Sequence, residues 1–424
     1  MKKIFLFSFM TVISVHIFLA ASALAQQSQP PYRIIIKGGH VIDAKNNINE
    51  IMDVAIQDGK IARVAKNIDT VLAQQVVNAR GMYVTPGLID LHAHVFYGFD
   101  PDSYLSGGTV AVLPDQSTFR SGVTTVVDAG GAGWRSFATF KKNIIDVSKT
   151  RVLSLLNIVG EGMRGIEKYE QQVSDMDAQR TADTALAQKE HVVGFKVAHF
   201  TGSDWTPVKR GVDAGKLANM PVMIDLNSIY FSIEELFTKY LRPGDIYTHT
   251  FIQSSRGVVE PIVDLKTGHF KSFVLEAQKK GIIFDVGFGG GSFNFNQALP
   301  ALKAGFYPNT MGTDLHQGSV NGAMKDQLNV LSIFMAMGMK LPELIKGSTW
   351  TPAQVINRKE LGNLSEGAVA DIAVLSIRNG NYGFRDVAGN RYGGRQKIEC
   401  ELTIRDGRIV YDLNAIAGDL AKPR

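Results

Sequence analysis

The 424-residue chain has a single cysteine, Cys400. That excludes an intramolecular disulfide framework and a thiolate zinc cluster, so any metal must be held by His, Asp, Glu or Lys. Charge of one sign is also lacking: 45 basic against 40 acidic residues leave a formal +5, and Lys2 and Lys3 supply two of those positive charges at the extreme N-terminus. A chain this long and this balanced gives no electrostatic case for nucleic acid. Internal repeats and low-complexity segments are missing, and no Gly-x-Gly-x-x-Gly follows the first barrel strand. Gly289-Gly290-Gly291 is not followed by Gly-Lys-Ser/Thr, so it reads as a turn or a close-approach loop rather than a phosphate cradle. What is present is 45% hydrophobic and 20% charged residues, enough for a sizeable core and typical of neither a disordered, a collagen-like nor a polytopic membrane chain.

The one long apolar run opens the chain. Lys2 and Lys3 precede an apolar stretch from Ile4 to about Ala21, then a small-residue exit at Ala23-Leu24-Ala25 and the polar Gln26 to Pro30. This pattern predicts a bacterial secretory signal over residues 1–25, cleaved to leave a periplasmic or secreted protein with no stable membrane insertion. A retained anchor is the competing reading, since the run approaches spanning length. No cysteine follows it, which argues against a lipoprotein.

Residues 26–85 carry short alternating strands such as Arg33-Ile34-Ile35-Ile36-Lys37 and Asp53-Val54-Ala55-Ile56, separated by Gly38-Gly39 and Asp58-Gly59. The same habit returns in 356–424, in Asp371-Ile372-Ala373-Val374-Leu375 and Leu402 to Val410. Neither section can close a core alone, which predicts one small β-sandwich assembled from both ends of the chain. Between them, residues 86–355 alternate apolar strands with helical stretches. Strands are expected near 87–94, 124–130, 151–159, 192–198, 221–227, 245–251, 281–288 and 309–314, the number and spacing of a (β/α)8 TIM barrel. A doubly wound sheet is the competitor. In such barrels the chemistry sits at the C-terminal strand ends, and that rule directs attention to particular residues.

In Pro86-Gly87-Leu88-Ile89-Asp90-Leu91-His92-Ala93-His94, strand alternation sends His92 and His94 to one face. Two neutral imidazoles that converge are half of a zinc site. His249 ends the sixth expected strand and Asp314 the eighth. Lys196 lies inside the apolar fourth strand, where a lysine is costly unless paired, neutral or modified; a salt bridge across the barrel mouth is its bland alternative. His316 could meet a substrate, as could Arg164 and Arg256, though a solvent-facing role fits each. His40, His191 and His269 fall outside the strand ends and read as structural. Phe293, Phe295 and Trp205 either line an apolar pocket or pack beneath the loops.

Together, Pro86 to His94, Lys196, His249, Asp314 and the late Gly362-Asn363-Leu364-Ser365-Glu366-Gly367-Ala368-Val369-Ala370-Asp371-Ile372 resemble the amidohydrolase superfamily over nearly all of the chain that follows the signal. Phe119 to Gly130, Gly194-Phe195-Lys196-Val197 and Gly244 to His249 resemble its dihydroorotase-like deacetylase branch. The resemblance implies a hydrolase with one or two divalent ions, zinc or manganese, in which His92, His94 and Asp314 hold one ion. It implies an N6-carboxylated Lys196 bridging to a second ion near His249, a bridging water of lowered pKa, a polarised carbonyl and Asp314 as proton carrier.

One position departs from the pattern. The family usually ends its fifth strand with histidine, and here Pro221-Val222-Met223-Ile224-Asp225-Leu226-Asn227 puts Asp225 there. An aspartate can ligate zinc, but it adds negative charge that favours a harder metal, weakens the second ion or marks a site drifting from catalysis. His199 is a substitute ligand or a substrate contact, and Asn227 could orient a neighbour. The expected function is hydrolysis of an amide or ester in a small-molecule, acylated substrate. The alternatives are opening of a dihydroorotate- or hydantoin-like ring and, from another class, a metal-binding barrel without turnover. A homo-oligomer is a family-level expectation.

Overall fold

The computed structural model describes residues 30–97, 111–163, 167–228, 230–253 and 259–418. The expected signal at 1–25, and Arg164 and Arg256, lie outside the described residues. Among the described residues no helix is long and apolar enough to cross a membrane.

The central unit is a seven-stranded parallel sheet in sequential order. It comprises β6 (Leu88–Ala93), β7 (Val123–Gly133), β8 (Arg151–Asn157), β9 (Val192–Ala198), β10 (Val222–Asp225), β11 (Ile246–Tyr247) and β12 (Ile283–Phe284). Every residue of β6, β7, β9, β10 and β11 is buried. Strands covered on both faces need continuous apolar runs rather than alternation, as Val192-Val193-Gly194-Phe195 shows. The sheet curls: segment 309–315 bridges to Asp285 on one side, through Thr310, and to Ala93 on the other, through Leu315. His94 N donates to Leu315 O at 2.8 Å and Leu315 N to His92 O at 3.2 Å. The architecture is TIM-barrel-like.

The expected late strands are shorter than their apolar runs suggested, and 309–314 forms isolated bridges rather than a strand. The backbone explains this. His249, Asp314, Gly287 and Gly289 all have φ between +49° and +56°, which interrupts extended pairing just where side chains must turn toward the axis.

Both chain ends do build one unit. The N-terminal strands are β1 (Tyr32–Asp43), β2 (Ile48–Gln57), β3 (Lys60–Ala65), β4 (Ala73–Asn78) and β5 (Tyr83–Pro86). They join β13 (Ile372–Arg385), β14 (Arg391–Arg405) and β15 (Arg408–Asp412) in the order β15-β14-β13-β5-β1-β2-β3, with β4 on β1. These strands form one continuous hydrogen-bonded sheet built from both ends of the chain. The cause is β1, whose first half pairs with β4 and second half with β5, the register shifting between Ile36 and Gly39. A Cβ on Gly39 would lie 2.4 Å from Val84 Cγ2, so only glycine lets the strand turn there. Ile34, Ile36, Val54, Val84, Ile372, Val374, Leu402 and Ile404 form the core of this sheet. Cys400 of β14 is buried outside that core, in the larger cluster that also takes in Ala373 and Leu375, beside Thr403.

Asp371 ties the two units together, pairing with Arg151 at the start of β8 and, at 3.5 Å, with Arg405 at the end of β14. The helix Gln327–Ala336 is buried along most of its length. Its Gln327 amide donates to Ile89 O and Met311 O, both at 3.2 Å, and so fastens the seam between β6 and 309–315.

Candidate metal centre

The C-terminal strand ends bring His92, His94, Lys196, Asp225, His249 and Asp314 into one buried cluster, none more than 9% exposed. His92, His94 and Asp314 form one group of donor atoms within 4.8 Å of one another; His92, Asp225 and His249 form a second. His92 is thus shared between two three-residue sets. His94 Nε2 lies 2.9 Å from Asp314 Oδ1, and His92 Nε2 lies 3.6 Å from it. His249 Nε2 lies 3.2 Å from Asp225 Oδ2.

What each imidazole does with its other nitrogen decides which atom is free to bind a metal. His92 Nδ1 meets Thr248 Oγ1 at 2.9 Å, and that hydroxyl donates to Asp285 Oδ2 at 2.9 Å. Asp285 is anchored in turn by Thr310 Oγ1 and Gly312 N. His249 Nδ1 donates to Gly287 O at 2.6 Å. In both rings Nε2 is left facing the cluster. Thr248, Asp285 and Gly287 were not anticipated from the sequence; a carboxylate inside Ile282-Ile283-Phe284-Asp285-Val286 was the available signal, because a buried acid needs partners.

Lys196 is fully buried. Its Nζ sits 3.2 Å from His92 Nε2, 3.3 Å from Asp225 Oδ2 and 3.6 Å from Met223 Sδ. It therefore stands between the two donor groups. The ion pair with Asp225 is the salt bridge that the sequence left open as the bland alternative, and it coexists with a place in the cluster.

The electrostatics suit ligation. Burial, then the neighbouring Lys196 ammonium, pushes His92 down to about 4, so its ring is neutral and its lone pair available. Burial alone would raise the two carboxyls. His92 and His94 nevertheless hold Asp314, and His249 and Lys196 hold Asp225, well below the usual carboxylate range. Both remain anionic. Asp90 anchors the first strand from below, accepting from His92 N at 3.1 Å and from Thr313 N at 3.0 Å.

His199, His249 and Asp314 share left-handed backbones, with φ of +55°, +55° and +52°. Such strain costs roughly 1–3 kcal/mol per residue and persists where the surroundings over-determine it. His199 lies outside both donor groups: Nδ1 is 2.9 Å from Glu170 Oε2 and Nε2 is 3.5 Å from Asp225 Oδ2. Burial pushes its pKa down, but the Glu170 carboxylate outweighs that and holds it up at about 9. His316 is also peripheral. Its Nε2 is 3.8 Å from Asp314 Oδ2, while Nδ1 accepts from Gly318 N at 3.0 Å and caps the short helix Gln317–Val320.

The loop aromatics pack beneath the mouth. Phe293 is fully buried and stacks on Phe288 with ring centroids 4.3 Å apart; half-buried Trp205 lies against Phe231 at 4.3 Å and Tyr240 at 4.6 Å. His40 bonds to Asn49 in the outer sheet and His191 precedes β9 at the opposite end, so neither approaches the cluster.

Three imidazole nitrogens and two carboxylates, with outer partners on His92 and His249 and two donor groups sharing His92, form a donor set that fits one or two divalent cations. Comparison with known proteins agrees. Residues 259–410 match the model of the amidohydrolase family. A deacetylase of Brucella anthropi is 30% identical over 330 residues, 76% of this chain and 78% of the relative. A deacetylase of Agrobacterium fabrum is 30% identical over 329 residues, 76% and 77%. Among solved structures, one titled an adenine deaminase superposes with a TM-score of 0.81 at 27% identity, covering 90% of this chain and 100% of the other. One titled a dihydroorotase gives 0.78 at 27% identity, covering 89% and 99%.

Proposed function

The chain belongs to the amidohydrolase family of metal-dependent hydrolases acting on carbon–nitrogen bonds, and from that premise we propose a deacylase that removes an acyl group from a small N- or O-acylated compound. The observation that carries this reading is the convergence of His92, His94, Asp225, His249 and Asp314 around Lys196 at the strand ends. The deacetylase names of its relatives favour acyl removal within the family's range.

In this reading His92, His94 and Asp314 hold one divalent cation, zinc or manganese, and His249 and Asp225 hold a second. A carboxyl group on Lys196 Nζ would turn that buried ammonium into an anionic oxygen donor. Bound there, the cations would supply Lewis-acid polarisation of the scissile carbonyl and of water. The chain's own groups do the rest. Asp314, anionic and 2.9 Å from His94, takes a proton at its carboxylate and returns it to the leaving group. The Thr248–Asp285 pair keeps His92 in one tautomer, and Gly287 O does the same for His249. Phe288 and Phe293 close the floor beneath the loop that carries Gly289 to Gly291. The N-terminal pattern at Lys2, Lys3 and Ala23-Leu24-Ala25 supports export by a cleaved signal and a periplasmic or secreted location.

A cyclic amidase is the second reading, favoured by the dihydroorotase-titled structure. A panel of N-acyl amino acids, acyl esters and cyclic ureides, assayed with metal-replete and chelator-stripped protein, separates the two. Metal-dependent release of the acyl group supports the proposal. Turnover of ureides alone, or of no compound in the panel, overturns it.

A further inference from the structure

The Asp225 carboxylate occupies a position that the family resemblance assigns to histidine, and a carboxylate is shorter and less rigidly aimed than an imidazole. Its Oδ2 is the point where three side chains meet: His249 Nε2 at 3.2 Å, Lys196 Nζ at 3.3 Å and His199 Nε2 at 3.5 Å. His249 and Lys196 belong to the cluster already described. His199 does not, and its placement is specified in unusual detail.

The position of His199 follows from the register. Ala198 at the end of β9 pairs with Asp225 at the end of β10, so the residue that follows β9, His199, emerges directly beside the aspartate. A left-handed φ of +55° then turns the ring back toward it. Gln171 fixes the backbone, its amide donating to His199 O at 2.7 Å while its Oε1 accepts from Thr201 N at 2.9 Å. Glu170 fixes the ring, Oε2 accepting from Nδ1 at 2.9 Å. Glu170 is 2% exposed and its other oxygen, Oε1, is buried without a hydrogen-bond partner among the described residues. Burying a carboxylate in this way costs free energy that a single surface-type ion pair does not offset. Neighbouring residues at the end of the 3-10 helix Glu167–Gln171 thus hold both the backbone and the ring of one histidine whose remaining nitrogen faces Asp225.

We propose that Glu170 and His199 are positioning residues that aim Asp225 as a ligand of the second cation, standing in for the missing strand-end histidine. This deepens the metal-centre reading and rests on it. The carboxylate–histidine arrangement familiar behind metal ligands is here extended by one step, Glu170 orienting His199 and His199 orienting Asp225. The first cation position, made by His92, His94 and Asp314, meets this chain of contacts only through His92, which shares a donor group with Asp225.

The test is metal binding, read separately from turnover. Zinc or manganese is titrated into metal-stripped full-length protein by calorimetry with bicarbonate present, and stoichiometry is checked by elemental analysis. The variants are Glu170→Ala, Glu170→Gln and His199→Asn. Asparagine is at home in the left-handed region, so the last keeps the backbone while removing the ring. Wild type is expected to bind two ions. Glu170→Ala and His199→Asn should weaken the second by roughly 10–100-fold and leave the first unchanged; Glu170→Gln, which still offers an oxygen to Nδ1, should restore most of it. The unchanged first ion serves as the control for folding. Should Glu170→Ala fail to fold, the contrast between His199→Asn and Glu170→Gln decides. Two ions bound with wild-type affinity by His199→Asn would overturn the proposal, as would a wild type that hydrolyses acylated substrates with one ion only. A wild type that binds no metal would instead overturn the metal-centre reading itself.

Discussion

Gly289 offers a way to disturb Asp314 without removing its carboxylate. A methyl group added there would lie 2.2 Å from Asp314 Oδ2 and 3.1 Å from its Cγ, on a backbone with φ of +56°. The first distance is roughly 1 Å short of ordinary van der Waals contact. Asp314 is buried and held by His94 on its other oxygen at 2.9 Å, so the carboxylate must rotate out of its place. A misplacement of about 1 Å in a reacting group costs on the order of 100-fold in rate, or about 2.7 kcal/mol of barrier. The left-handed backbone adds roughly 1–2 kcal/mol of destabilisation for alanine, small enough to leave the fold intact. The assay is kcat on an acylated substrate at saturating metal, with thermal melting and metal content measured on the same preparation. Gly291→Ala is the control, because a Cβ there meets nothing within 4 Å among the described residues. Gly289→Ala should lose about two orders of magnitude in kcat while remaining folded, and Gly291→Ala should keep its rate. Wild-type kcat in Gly289→Ala would refute the reasoning that places Asp314 in the reaction.

Further outcomes follow from the same geometry. Asp314→Asn should lower kcat by at least ~100-fold with the melting temperature little changed; undiminished turnover would remove Asp314 from proton transfer. In the metal-free protein, His199 has its pKa raised to about 9 despite burial, through Glu170. Its contribution, on the order of 2 kcal/mol after allowance for its partial exposure, is present in full below about pH 6.5 and is lost as pH rises through about 9. Urea unfolding across that window should show the loss in wild type and a flatter profile in His199→Asn; parallel profiles would contradict it. Burial pushes the Cys400 thiol up to about 12, so thiol-reactive dye should label the unfolded chain and leave the native protein unmodified at pH 8.

The residues of the buried cluster were legible because strand periodicity and barrel geometry act on neighbouring positions. His92 and His94 share a face by alternation, and His249 and Asp314 end apolar runs, so their convergence follows from local pattern plus one topological rule. Asp225 was legible as a departure, and the structure brings it into the second donor group rather than out of the cluster. The supporting contacts were not legible. Thr248 to Asp285, Glu170 to His199 and Gly289 to Asp314 join loops whose paths no single-sequence periodicity encodes. The fold shows the same division. The terminal segments announced strands by their alternation, but one bulge at Gly38-Gly39 decides that β1 serves both halves of a continuous sheet. The final strands are shorter than the expected 281–288 and 309–314 because the positive φ values at Gly287, Gly289 and Asp314 stop extended pairing.

The central claim is that these strand ends hold a divalent cation. Anomalous diffraction from crystals of zinc-loaded protein, collected on both sides of the zinc edge, addresses it directly. The account predicts a peak bonded at about 2.0–2.2 Å to His92 Nε2, His94 Nε2 and an Asp314 oxygen, with a second near His249 and Asp225. Zinc found elsewhere on the protein, with these five side chains still bonded to one another, would contradict it.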